Sequence, residues 1–237
     1  MTNNEFMKVL KSSFLTYLNT SARSNKKLKV LHGAIAKDLY QRLGGNYQIK
    51  ALGFGAGKEA KIDGRYMEKT VDISIFKDGK ALGGVAVKYI MSNYSQNSNN
   101  YFEGMLGETA NLRTKSKAYF QIVILPKNVP YFKKDGTISK IEKITAHNID
   151  KYLKLSQDDI SVYMHTPTKT LFCLVNMPAI PLNVVKTKKD YIKFLLNKKD
   201  FEITLCRDNY AFKDSIVYND YENFINKVVN YIKFLDW

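Results

Sequence analysis

Apolar residues recur at helical spacing from Glu5 to Asn19 (EFMKVLKSSFLTYLN). After a polar break at Ser21 to Lys27, a second such pattern runs from Leu28 to Leu43, where Gly44-Gly45 stops it. The period then changes to two. Tyr47 to Gly53 reads as a short strand, the glycine-rich GFGAGKEAKIDG as a loop, and Val71 to Phe76 (VDISIF) as an alternating strand. Asp78-Gly79 signals a hairpin whose return strand is Gly83 to Ile90 (GGVAVKYI). A polar stretch, SNYSQNSNN, precedes a helical segment starting near Tyr101 and ending near Arg113, and Tyr119 to Leu125 (YFQIVIL) forms an apolar strand closed by Pro126. Further on come a turn at Lys133-Lys134-Asp135-Gly136, strands at Ser161 to Met164 and Leu171 to Val175, and a basic segment, KTKKDYIKFLLNKKD. The last element is an amphipathic helix from Tyr221 to Leu235, with Phe224, Val228, Ile232 and Leu235 on one face.

This order predicts an α/β fold of the α+β kind with a mixed sheet, organised as a single domain over residues 1–237. Residues 28–125 would form its core, and 126–237 a C-terminal α/β elaboration serving recognition or dimerisation. No apolar run approaches the roughly 20 residues of a membrane span. Lys8 and Lys11 also interrupt what a signal peptide would need, so the expectation is a cytoplasmic protein with no membrane partner.

Charge narrows the partners. Against 22 acidic residues stand 37 basic ones, a net charge of +15 that suits a polyanion such as nucleic acid. A coding bias towards Lys, Asn, Ile and Tyr would produce the same excess without any such partner.

Several chemistries fail on spacing. A phosphate-binding P-loop needs a glycine where Leu52 sits and a Ser or Thr where Glu59 follows Lys58. His32, His147 and His165 have no Cys, Asp or Glu at metal-ligand spacing, so each reads as a polar surface or capping residue. No GxSxG elbow is present, and Cys173 and Cys206 read as buried or spare thiols. No small-molecule cofactor is implied.

One constellation remains. Metal-assisted phosphodiester hydrolysis needs carboxylates to hold a cation and a basic group beside the attacking water. Asp72 in VDISIF and Lys88 in GGVAVKYI would meet that need from paired strands. Alternatively, Asp72 is a solvent-facing strand residue and Lys88 a strand-end charge. The two must share a face. A two-residue Asp78-Gly79 loop pairs Asp72 with Val85 and sends Lys88 to the opposite face, whereas a third loop residue, or a bulge at Gly83-Gly84, brings Asp72, Ala86 and Lys88 together.

With these residues in place, the helix-strand-strand-strand-helix-strand order over residues 28–125 resembles the αβββαβ core of the PD-(D/E)xK nucleases, which include many type II restriction endonucleases. The resemblance implies Mg²⁺-dependent hydrolysis of double-stranded DNA at a specific sequence, by a homodimer, yielding a 5′-phosphate and a 3′-hydroxyl. It also implies that Asp72 and Lys88 are catalytic and that Ala86 stands at the position of a second acid. Some members carry that acid on the following helix, which here offers Glu103, preferred for its distance from Lys88, and Glu108 as second choice. The two lie about 140° apart around a helix, so at most one can face the site. Asp72 and Glu103, with the main-chain carbonyl of Val87, would then hold the metal. Ser92, Asn93, Gln96, Asn97, Asn99 and Asn100 would contact bases or phosphates, and Arg113, Lys115, Lys117 and the run from Lys186 to Lys199 would contact phosphates. The competing expectations are a non-catalytic or inactivated DNA-binding protein on the same fold and a repair or transposition nuclease without tight specificity.

Overall fold

A computed structural model describes residues 1–20, 24–198 and 200–236. Ser21, in the expected polar break, and Lys199, at the end of the basic run, lie outside them. The two leading helical patterns form α1 (Asn3–Leu18) and α2 (Lys26–Leu43). Thr2 and Glu5 cap α1 reciprocally, and Gly44, with φ 95°, ends α2. The chain continues as β1 (Tyr47–Ala51), β2 (Ala60–Asp63), β3 (Glu68–Val71), β4 (Ile73–Lys77), β5 (Lys80–Tyr89), α3 (Tyr94–Arg113) and β6 (Ala118–Pro126). It ends with β7 (Asn128–Phe132), β8 (Ile138–Lys143), α4 (Ala146–Ser156), β9 (Lys169–Asn176), α5 (Lys188–Asn197), β10 (Thr204–Leu205), β11 (Ile216–Tyr218) and α6 (Tyr221–Phe234).

The main sheet has the order β1-β4-β5-β6-β9-β10, with β11 also on β9. Pairing is antiparallel from β1 through β4 to β5, then parallel from β5 through β6 to β9. The protein is therefore a mixed α/β structure with a mixed sheet. Strand β6 is buried at every position, as its unbroken apolar run requires of a central strand covered on both faces. Helices α1, α2 and α6 cover one face through Phe6, Leu10, Ile35, Leu39, Phe224 and Val228. Met105 of α3 and Tyr152 of α4 belong to a second cluster that also contains Val123 and Phe172 of the sheet.

The β4–β5 hairpin turns on Asp78 and Gly79, both at positive φ (49° and 75°), as a tight two-residue turn demands. Lys77 pairs with Lys80 and Phe76 with Ala81, but Ile75 pairs with Gly83, so Leu82 is an extra residue. The bulge thus falls one position before the expected Gly83-Gly84. Those glycines serve close packing instead: a Cβ on Gly83 would sit 2.3 Å from the Ala118 carbonyl oxygen, and one on Gly84 2.6 Å from Val71 Cγ1. Past the bulge Ile73 pairs with Val85, and continuing the register sets Asp72 beside Ala86.

Three expectations need correction. The segment GFGAGKEAKIDG is a loop only in part, because its end forms β2, paired with β3. SNYSQNSNN is mostly helix: α3 begins at Tyr94, which is buried and anchors the first turn. Ser161 to Met164 form turns, since their carbonyl neighbourhood is organised by Arg113 and not by a partner strand. Helix α6 packs Phe224, Ile225, Val228 and Ile232 into its own core, where Tyr221 stacks on Phe6 at 4.2 Å. No helix among the described residues is long and apolar enough to cross a membrane.

Candidate metal centre

Asp72 occupies the joint where one extended segment changes sheets. Before it, β3 pairs with β2; after it, β4 pairs with β1 and β5. In the β2–β3 ribbon Ala60 pairs with Val71, so one step further Glu59 comes alongside Asp72. His32 of α2 approaches the same point, with Nδ1 at 3.9 Å from Glu59 Oε1. One potential ligand atom from each of His32, Glu59 and Asp72 lies within 4.8 Å of the other two.

The electrostatics of this cluster suit a cation. His32 is 1% exposed, and neither ring nitrogen has a hydrogen-bond partner. Burial pushes its pKa down, against the opposing pull of Asp72, which favours the neutral imidazole that can act as a ligand. Burial, and then the charge of Asp72, pushes Glu59 above the usual carboxylate range. Two carboxylates and an unsatisfied imidazole in a partly buried space are unfavourable alone, and a divalent ion between them would relieve both defects. The donor set therefore fits such an ion. Asp72 is itself oriented, because the Val87 amide donates to its Oδ2 at 2.7 Å.

His32 and Asp72 line a cavity of about 540 Å³ near the carboxyl end of β5, bounded by α1 and α2 on one side and by α3 on the other. Ala86 and Lys88 line it with Asp72, which follows from the bulged register. Lys88 is exposed to the cavity and holds its Nζ 4.2 Å from the centroid of the Tyr101 ring, a cation–π contact. Across the parallel pairing Ala86 is opposite Gln121, also in the wall.

The helical glutamates behave differently from expectation. Glu103 is exposed and outside the cavity wall, beside Lys151, whereas Glu108 lines the wall. Both Glu108 oxygens are engaged, one by Lys69 Nζ and the other by the Tyr119 hydroxyl at 3.0 Å. Neither is part of the three-residue cluster.

Of the residues expected to contact DNA, Ser92 and Asn100 reach the cavity wall. The side chain of Asn93, at φ 51°, is occupied structurally: it donates to the Phe132 carbonyl at 2.8 Å and accepts from the Phe132 amide at 3.1 Å. Gln96 and Asn97 interact back with Asn93, and Asn99 accepts from Lys151 at 3.2 Å. The Arg113 guanidinium is engaged within the fold, donating to the carbonyls of Ile160, Tyr163 (2.8 Å) and Thr166 (2.6 Å). Lys117 donates to the Ala81 carbonyl at 2.7 Å, whereas Lys115 is exposed, as are Lys186, Lys189 and Lys193 at and before α5.

Sequence spacing passes over His32 and Glu59 because their proximity to Asp72 is tertiary. The readable signal was indirect: His32 lies on the apolar side of an amphipathic helix, between Leu31 and the buried Ile35. No family model, curated protein or solved structure matches this chain.

Proposed function

We propose that the protein is a metal-dependent endonuclease of the type II restriction kind, acting on double-stranded DNA. The observation that carries this reading is the cluster of His32, Glu59 and Asp72, two members of which, His32 and Asp72, line the same cavity as Lys88. The strand order β1-β4-β5-β6, preceded by α2 and interrupted by α3, agrees with the αβββαβ arrangement of PD-(D/E)xK nucleases, with the β2–β3 ribbon inserted before the acidic strand. The surplus of basic residues supports a polyanionic substrate.

In this reading the second acid, absent at Ala86, is Glu59. It comes from the loop before β2 and not from α3. His32, Glu59 and Asp72 would hold the cation, which supplies Lewis-acid polarisation of the phosphate and a more acidic water. Mg²⁺ suits the two carboxylates, while the imidazole nitrogen shifts the preference towards Mn²⁺. The Val87 amide fixes one oxygen of Asp72, which turns the carboxylate towards Glu59 and His32. Lys88 supplies positive charge where negative charge develops on the phosphate, and the Tyr101 ring restricts its position. Ala86 leaves room for the phosphate next to Lys88. The Val87 carbonyl remains a further candidate ligand, and a homodimer is the assembly that would cut both strands of a symmetric site.

Supercoiled plasmid incubated with the protein and Mg²⁺ or Mn²⁺ tests this. Conversion to linear DNA with discrete fragments, blocked by a chelator, is expected. Scattered products would remove the restriction specificity, and plasmid left supercoiled in both metals would overturn the reading.

A further inference from the structure

The tip of the β2–β3 ribbon differs from the turns of the β4–β5 and β7–β8 hairpins. The β4–β5 turn is Asp78-Gly79 and the β7–β8 turn is Lys133-Lys134-Asp135-Gly136, both polar, but the β2–β3 tip is Gly64-Arg65-Tyr66-Met67. Tyr66 is 76% exposed and Met67 67%, adjacent large side chains at the end of a narrow projection. Single exposed apolar residues are ordinary; two together on a rigid tip need a reason.

One residue holds the tip in place. Asn111, near the end of α3, accepts from the amides of Tyr66 (2.9 Å) and Met67 (3.4 Å) and donates to the Met67 carbonyl (2.9 Å). Its own carbonyl accepts from the Arg65 amide at 2.8 Å. Gly64 permits this seating, since a Cβ there would lie 2.1 Å from Asn111 Nδ2. The main chain of the tip is thus locked to α3 while its two large side chains are turned outward. The Arg65 guanidinium sits 5.7 Å from the Tyr66 ring, so the tip carries a cation with its aromatic surface.

The other end of this ribbon is the metal cluster, with Glu59 and Asp72 one step beyond the Ala60–Val71 pair. Five residue steps lead from Glu59 to Gly64 and from Asp72 to Met67, roughly 17 Å along the strands. At about 3.4 Å per base-pair step, this reaches some five steps along a duplex whose phosphate lies at the cluster. Arginine with an apolar or aromatic wedge is a combination that enters a DNA groove and opens a base step.

Resting on the nuclease reading of the cavity, we infer that the Arg65-Tyr66-Met67 tip is a DNA-inserting element, with Tyr66 and Met67 wedged at a base step about five positions from the cut phosphate. Rigid coupling of tip and cluster through one ribbon sets that distance. It gives this chain a contact for sequence or deformability readout outside the amide-rich start of α3.

The test uses a mixed-sequence 30-base-pair duplex series in which 2-aminopurine is stepped along one strand, in Ca²⁺. Anisotropy gives affinity and 2-aminopurine emission gives unstacking. Wild type is expected to bind and to raise emission at one or two steps. Tyr66→Ser with Met67→Ser should lose about tenfold in affinity and the emission rise, without altering the salt slope, while Tyr66→Trp retains both. Arg65→Ala should reduce the salt slope by about one. Mn²⁺ affinity and thermal midpoint of the double variant should match wild type. If wild type does not bind the duplex, this inference and the nuclease reading fall together. If wild type binds and the double variant binds equally, or loses affinity only through a changed oligomeric state, the wedge alone is overturned.

Discussion

Glu59 and Asp72 stand side by side at the foot of the β2–β3 ribbon, where burial and then the charge of Asp72 raise the pKa of Glu59. Neither belongs to a strand at that point: Glu59 precedes β2, and Asp72 fills the joint between β3 and β4. A sheet change in the backbone therefore brings two carboxylates together. The bulge at Leu82 then aligns Lys88 with them.

Metal binding at this pair must displace protons. The Glu59 pKa is raised, so its carboxyl is protonated over a wider range than an ordinary glutamate, and each proton bound there opposes the cation. Mn²⁺ affinity, measured by calorimetry, should fall as pH falls from neutrality, with the loss beginning above the usual carboxylate range. In the metal-free protein the sign is opposite: a raised folded pKa contributes stability at low pH that disappears as pH rises through it. Glu59→Gln should therefore raise the thermal midpoint at pH 7 without metal, and the advantage should vanish when Mn²⁺ is added to both proteins.

Much of the fold was readable along the chain. The turn at Asp78-Gly79, the apolar run of β6 and the stop at Gly44 are local, because each rests on the backbone or burial requirement of a few adjacent residues. Asp72 and Lys88 could be paired because a hairpin is short and its register countable. Non-local features were not readable. His32 looked like a surface or capping residue, yet it is buried, since α2 turns it towards a loop 27 positions later. Glu59 looked like the failed end of a phosphate loop. The amides of SNYSQNSNN looked like a loop because polar composition says nothing of a buried Tyr94 that docks the helix start.

Asn93 should act on stability and not on DNA. Its amide makes two hydrogen bonds to Phe132 from a left-handed conformation. Asn93→Ala should cost about 2 kcal/mol in urea unfolding, whereas Asn100→Ala, on the cavity wall, should weaken DNA binding and leave the unfolding midpoint unchanged.

Arg113 closes the segment from Ile160 to Thr166 against α3 by hydrogen bonds to three carbonyls. Arg113→Ala should destabilise the fold by about 2–4 kcal/mol and expose this segment to limited proteolysis. The salt slope of DNA binding should not change, which separates this role from a phosphate contact.

Lys88 places its charge in the cavity beside Tyr101. Lys88→Ala should lower cleavage by about a hundred- to a thousandfold with DNA and Mn²⁺ affinity retained. Comparable loss of metal binding would assign Lys88 a structural role in place of a catalytic one.

One parallel measurement decides the identity of the second acid: plasmid cleavage rates in Mn²⁺ for Glu59→Gln and Glu103→Gln. The geometry predicts that Glu59→Gln loses cleavage together with Mn²⁺ binding, while Glu103→Gln cuts at the wild-type rate. Cleavage persisting in Glu59→Gln and lost in Glu103→Gln would contradict it and return the metal to the helix.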